Sequence, residues 1–290
     1  MKAKKVLALV FALCLTISCM GMTAFATENT EVSSESLIKA ASDRVRELET
    51  VTDGQSSINH EEISSIFSRG QARDSAVSGT IEQEAKLELA STFSSADGMS
   101  LANITTVVNK GLAAFLEAES KGADEDSYRH FTWNFRSAKS VGGSIARIFT
   151  INYEWSNVLL DEYDAYYDER FSYYYDTYYT HILLGGLTTS DVMKLAAADA
   201  DDYIVELRNT LKAECRESMA NFSALFSADN VMDFWNNLYG RNYADSYASM
   251  TNEAAFALAK SNGVIISSSA AVTSYHISTV YNSNWWYTGT

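Results

Sequence analysis

Two short segments carry charged and polar residues at the spacing that helices normally reserve for their packing face. The first is Asp126, Arg129, His130, Trp133 and Asn134. The second is Asp233, Asn236, Asn237, Gly240 and Arg241. Both run i, i+3, i+4, i+7, i+8, so on an α-helix each set falls on one side. That side is ordinarily apolar because it is the one that packs. Burying carboxylate, guanidinium, imidazole and carboxamide groups costs several kcal/mol each unless they find partners. The two stripes are therefore predicted to face each other or to share a cleft. If the helices are antiparallel neighbours, Arg129 meets Asp233 and Arg241 meets Asp126, each as an Arg–carboxylate pair.

The rest of the chain also reads as helical. Its 290 residues contain no proline, the residue that most strongly breaks helix interiors. Thr80 is predicted to cap a helix reaching about Phe93. Asn103 caps the next, with Val107, Leu112, Phe115 and Leu116 as its apolar face. Asp124 opens the first motif helix, which ends near Gly142 and Gly143. A further helix covers Ser144 to about Trp155. Tyr163, Tyr166, Tyr167, Phe171, Tyr174, Tyr175 and Tyr178 then recur at helical spacing with acids between them, which predicts an amphipathic helix with an aromatic inner face. Thr188 to Ser190 start a long helical region through about Phe226, with a break near Ala200. Ser227 or Asp229 caps the second motif helix, and Thr251 or Asn252 caps a short one ending at Gly263. Beyond it, Val264, Ile265, Ile266, Val272, Ile277 and Val280 favour strands, and Asn282-Ser283-Asn284 suits a hairpin turn. The expected fold is mainly α: a helical bundle with a small C-terminal antiparallel β element.

The predicted organisation follows. Residues 1–26 read as a secretory signal peptide: Lys2, Lys4 and Lys5, an apolar core from Val6 to Ile17, and a small-x-small site at Ala24-Phe25-Ala26. Residues 27–80 form a flexible or helical N-terminal region. Residues 81–262 are the main helical domain, with the motif core at 120–245, and residues 263–290 are the hairpin-like tail. The expected location is secreted, with no transmembrane segment after signal cleavage. The formal net charge is −15, and loss of the signal's three lysines makes it more negative, so nucleic acid is excluded as a partner. The partner expected instead is an extracellular or cell-envelope ligand. Cys14 and Cys19 lie in the signal, which leaves Cys215 alone and rules out an intramolecular disulfide. No phosphate loop, dinucleotide fingerprint or nucleophile elbow is present.

Three uses of the polar stripes compete. In acid–base hydrolysis, His130 takes a proton from water, Asp126 or Glu154 orients it, and Arg129, Arg241 or the carboxamides of Asn134, Asn236 and Asn237 hold the developing oxyanion. In a metal site, Asp126, His130, Glu154 and Asp233 bind a hard or borderline divalent ion, although the paired histidines of common zinc motifs are missing. In the third, the groups are a buried network that fixes helix register and does no chemistry. No cofactor other than a divalent metal is suggested.

Arg129-His130-Phe131-Thr132-Trp133-Asn134, preceded by Asp126, resembles the RHxxWN motif of a bacterial domain-of-unknown-function family. Asn236-Asn237-Leu238-Tyr239-Gly240-Arg241, preceded by Asp233, resembles its second motif, NNxxGR. The resemblance covers roughly residues 120–245 and implies a helical domain of exported or surface-attached bacterial proteins, with no settled reaction. The family's pattern has a His-Glu pair where this chain has Tyr153-Glu154. A ligand or base supplied by that histidine is missing here, which tilts this copy toward binding or structure.

Overall fold

A computed structural model describes residues 80–183 and 186–288. The expected signal peptide and N-terminal region, and with them His60, lie outside the described residues. From Glu82 onward the described helices belong to a single unit. They are α1 (Thr80–Ala96), α2 (Leu101–Ala118), α3 (Glu125–Val141), α4 (Gly143–Leu183), α5 (Thr189–Glu217), α6 (Met219–Leu225), α7 (Ala228–Ser246), α8 (Asn252–Ser261) and α9 (Ser274–Asn282), with short 3₁₀ turns at Gly122–Asp124 and Ser269–Ala271. The mainly helical expectation holds. The C-terminal β element does not: no strand occurs among the described residues, and Ser274–Asn282 is helix.

Local signals explain most of the helix starts. The Thr188 hydroxyl accepts from the Asp191 N–H while the Asp191 carboxylate accepts from the Thr188 N–H, a reciprocal capping box. Ser227 and Asn230 do the same for α7, and Thr251 caps α8. The cap of α2 is Ser100, which accepts from Asn103 N–H; Asn103 receives the cap and does not supply it. The buried face of α2 also differs from expectation. It is Ile104, Val107, Gly111, Ala114 and Ala118, with Leu112 and Leu116 exposed. Small residues win on this face because Trp133 of α3 fills the space: a Cβ on Gly111 would sit 2.8 Å from its ring.

Two expected breaks are absent. Residues 143–183 form one 41-residue helix, and α5 passes Ala200 without interruption. The first half of α4 is the centre of the fold. Thr150, Asn152, Glu154 and Ser156 are as buried there as Phe149, Trp155 and Leu159. Its second half carries the tyrosines. Tyr166 stacks on Tyr203 of α5 at 3.9 Å, and the Tyr174 hydroxyl donates to Asp199. Only Tyr174 of the expected aromatic face is fully buried; the others are half-buried.

The C-terminal segment is apolar because it packs, although not as a hairpin. Ile266, Val280 and Trp286 join Trp155, Leu211, Phe222, Phe226 and Phe234 in one core cluster. Trp155 Nε1 donates to the Trp286 carbonyl, and Arg147 donates to the carbonyls of Asn284 and Tyr287. Asn284, in the expected hairpin turn, instead adopts a left-handed conformation (φ 54°) just past the end of α9. Cys215 is buried and free, as expected, and burial pushes its thiol far above the ordinary value.

Candidate functional site: three helix faces around His130

The two motif stripes do converge, on α3 and α7. They do so in parallel and not antiparallel. His130 Nδ1 lies 3.2 Å from Asn237 Oδ1, and Arg241 donates to Asn134 Oδ1 at 2.6 Å. Asp126 and Asp233 offer ligand atoms within 4.8 Å of each other and of His130. Each stripe thus pairs first residue with first and last with last. The two expected Arg–Asp bridges are therefore absent. Arg129 pairs with Asp126 on its own helix and lies over the Phe115 ring at 5.0 Å. Arg241 bonds to Asn134 and to Thr150 Oγ1.

Gly240 is what allows the helices so close. A Cβ there would stand 2.3 Å from the Phe131 carbonyl oxygen and 2.9 Å from Asn134 Cβ. At the start of α3, Glu125 and Asp126 place carboxylates at the positive end of the helix. At its end, Gly142 takes φ 88°, a conformation that side chains disfavour, and the chain turns into α4.

α4 supplies a third polar face that completes the site. Glu154 was expected there; Thr150 and Asn157 were not. The three lie at i, i+4 and i+7, the same spacing as the two recognised stripes, with Tyr153 at i+3. That pattern was available in the sequence. Thr150 donates to Asn134 Oδ1, Asn157 donates to Glu154 Oε2, and Asn237 donates to Glu154 Oε1 at 3.1 Å.

These bonds have a direction, and the direction fixes the histidine. Asn134 Oδ1 accepts from Arg241 and Thr150, so its Nδ2 donates to Asn237 Oδ1 at 2.5 Å and to the His130 carbonyl. Asn237 Oδ1 is then an acceptor, and its Nδ2 serves Glu154. His130 Nδ1 faces two acceptors, Asn237 Oδ1 at 3.2 Å and Glu154 Oε1 at 3.3 Å. Nδ1 therefore carries a proton, and Nε2 is the nitrogen left to gain or lose one. Nε2 looks at Asp233 Oδ1, 3.4 Å away, and at Asp126 Oδ1, 3.6 Å away.

The surroundings separate the three carboxylates. Glu154 is fully buried and Asp233 is 7% exposed, whereas the Asp126 side chain is 38% exposed and forms the open edge. Burial, then the charges of Asp126 and Glu154, push the Asp233 carboxyl well above its ordinary value. Burial also works to raise Asp126, but His130 and Arg129 beside it hold it below the usual carboxylate value. Asp233 Oδ1 and Arg129 Nε are buried and make no hydrogen bond. At the far end of the site, burial and the nearby charge of Arg147 bring Arg241 down to about 9, since it meets a carboxamide and a hydroxyl and no carboxylate.

Two of the expected site residues point elsewhere. Trp133 Nε1 donates to the Val107 carbonyl at 2.8 Å, and the ring packs edge-on to Phe149 and Tyr153, so it is core. Asn236 pairs both ways with the backbone of Ile266 and anchors the C-terminal segment. Tyr153 is buried beside Trp133, and its ring centroid is 6.4 Å from that of His130. Of the other histidines, His181 is exposed, and His276 Nδ1 accepts from Thr273 N–H at the start of α9.

The chain matches no known family pattern, no curated protein and no solved structure. The reading of the site therefore rests on its own geometry. Among the described residues, no helix is long and apolar enough to cross a membrane.

Proposed function

We propose that this chain is a secreted bacterial, hydrolase-like protein, acting on a cell-envelope or extracellular substrate at the inter-helix site around His130. The observation that carries this reading is the orientation of one ring. Glu154 and Asn237 hold the Nδ1 side of His130, which frees Nε2 to take a proton from water at the edge that Asp126 leaves open. Asp126 and Asp233 flank that position and orient the water. Arg129, whose Nε–H has no partner, is the donor available to a developing oxyanion. A buried carboxylate oxygen and a buried guanidinium N–H without partners are two groups that a bound water or substrate can satisfy.

The test is turnover of the purified chain on a panel of chromogenic esters, peptides, phosphodiesters and glycosides, together with isolated cell-wall material. An activity found there should fall by about two to four orders of magnitude in His130→Gln, the usual contribution of a general base, with the helical circular dichroism unchanged. Activity that survives His130→Gln refutes the assignment.

A second reading, a non-catalytic surface interaction module, is favoured by one observation. Tyr163, Tyr167, Phe171, Tyr175 and Tyr179 make a continuous ladder of ring contacts along α4, with centroids 5.9 to 6.5 Å apart. In that case binding to cell-envelope material survives His130→Gln and is lost when Phe171 and Tyr175 become Ala.

A further inference from the structure

We propose that the carboxylates of Asp126 and Asp233 and the Nε2 atom of His130 bind one divalent first-row transition cation, with Glu154 as the outer carboxylate that orients the histidine. The inference rests on the hydrolase reading for its catalytic meaning, since it names the cofactor of that same site.

Four observations support it. The first is spacing. Metal–ligand bonds of about 2.0–2.2 Å place neighbouring ligand atoms roughly 3–3.5 Å apart. His130 Nε2 stands 3.4 Å from Asp233 Oδ1 and 3.6 Å from Asp126 Oδ1, and the three residues offer atoms within 4.8 Å of one another. A cation needs only small side-chain adjustments to sit among them. The second is the tautomer. The hydrogen-bond directions put a proton on Nδ1, which bonds to Asn237 Oδ1 with Glu154 Oε1 3.3 Å away, an outer-partner arrangement that supports a metal on the opposite nitrogen.

The third is an unpaired atom. Asp233 is more than nine-tenths buried, and its Oδ1, aimed at His130 Nε2, accepts no hydrogen bond. With Nε2 unprotonated, its lone pair converges with oxygens of two carboxylates. A cation satisfies all three atoms at once. The fourth is local charge: three carboxylates face one imidazole, with Arg129 as the neighbouring guanidinium.

The donor set limits the ion. One imidazole and two carboxylates suit Mn²⁺, Fe²⁺ or Zn²⁺, whereas calcium takes six to eight oxygens. Three protein ligands, with Asp126 at the open edge, leave positions for water or substrate, as catalytic metal sites do. A bound ion there would lower the pKa of a coordinated water and generate hydroxide near neutral pH. Glu154 is a positioning residue in this scheme, because it touches His130 and not the ion.

The experiment uses the full chain, dialysed against chelator and then titrated separately with Mn²⁺ and Zn²⁺. Calorimetry should find one site, and the Mn²⁺ titration should show loss of the aquo-ion electron paramagnetic resonance signal. Asp126→Asn and Asp233→Asn should each weaken affinity at least a hundredfold, and Glu154→Gln about 10- to 100-fold as an outer partner. Asp126 lies at the open edge, so its variant keeps the test valid if Asp233→Asn misfolds. Folded wild-type protein that binds neither ion, or aspartate variants that bind as tightly as wild type, overturn the proposal. Turnover by the chelated, metal-free chain would overturn the cation and leave the hydrolase reading intact. One bound ion with no turnover on any substrate would do the reverse.

Discussion

Gly240→Ala should destabilise the protein, although helix propensity alone argues for the opposite. Gly240 lies inside α7, where alanine is the better residue by roughly 1 kcal/mol. The added methyl has nowhere to go. It would stand 2.3 Å from the Phe131 carbonyl oxygen, 2.9 Å from Asn134 Cβ and 3.1 Å from the Phe131 carbonyl carbon. Relief requires α3 and α7 to separate by close to an ångström, because two of the three obstacles are backbone. Overpacking typically costs about 1–3 kcal/mol, and a backbone obstacle belongs at the upper end of that range. Subtracting the propensity gain leaves a net loss of about 2 kcal/mol. Urea unfolding followed by far-ultraviolet circular dichroism measures it as a lower midpoint at unchanged slope. Gly143→Ala is the matched control. It lies at the start of α4, and its nearest new contact is Asp245 Oδ2 at an ordinary 3.8 Å. That variant should be neutral or more stable by up to about 1 kcal/mol. If Gly240→Ala unfolds at or above the wild-type midpoint, the close approach of the two motif helices is not what holds the site together.

Two further outcomes separate the support of the site from its chemistry. Asn236→Ala removes both partners of the buried Ile266 backbone and leaves an N–H and a C=O unsatisfied. It should cost about 2–6 kcal/mol at about 1–3 per orphaned group, while affinity for Mn²⁺ stays within a few-fold of wild type; a loss below 1 kcal/mol would remove Asn236 from its anchoring role. Lys212 is buried against Thr288 and Asp97, and burial, reinforced by the charge of Arg208, brings its ammonium down to about 7 from 10.5. Because the unfolded chain binds this proton more tightly, the penalty is fully present below pH 7 and is relieved as pH rises from 7 to 10.5. Thermal melts should therefore show a stability advantage of Lys212→Met over wild type at pH 6.5 that shrinks by pH 10, on the order of a few kcal/mol; a pH-independent difference would place the proton elsewhere.

Much of this was legible in the sequence, for identifiable reasons. Ser227, Thr251 and Thr188 announced helix starts because capping is a local reaction between residues three apart. The stripes of α3 and α7 announced convergence because their burial without partners is too costly. The third stripe, Thr150, Glu154 and Asn157, obeys the same rule but lies among Phe149, Ile151 and Trp155, where apolar neighbours on every side hide a polar face. A helix buried all round has no solvent-facing side against which a polar stripe stands out. The C-terminal segment misled for a related reason. Its β-branched and aromatic residues satisfy a packing demand, with Ile266, Val280 and Trp286 in the core, and strand propensity is largely a record of such half-buried packing. The network of Asp97, Asn152, Arg208, Lys212 and Thr288 joins residues as far as 191 positions apart and left no local pattern.

Helix direction is the property that spacing leaves open, and here it decides the chemistry. The same two stripes placed antiparallel would match each arginine with an aspartate and close into two neutral bridges, a stabilising network with no reason to hold a ligand. Placed in parallel, they bring Asp126 to Asp233 across His130 and send Arg241 to the far end, where it meets only Asn134 and Thr150. The carboxylates gather at one end, with Arg129 beside them, and Arg241 stands at the other without a carboxylate partner. Arg129 offsets part of the repulsion at the acidic end, and a shared proton, an imidazolium or a bound ion would offset the rest. Each of these is exchangeable through the edge that Asp126 opens. The parallel register is thus what both the proposed acid–base chemistry and the proposed cation site depend on.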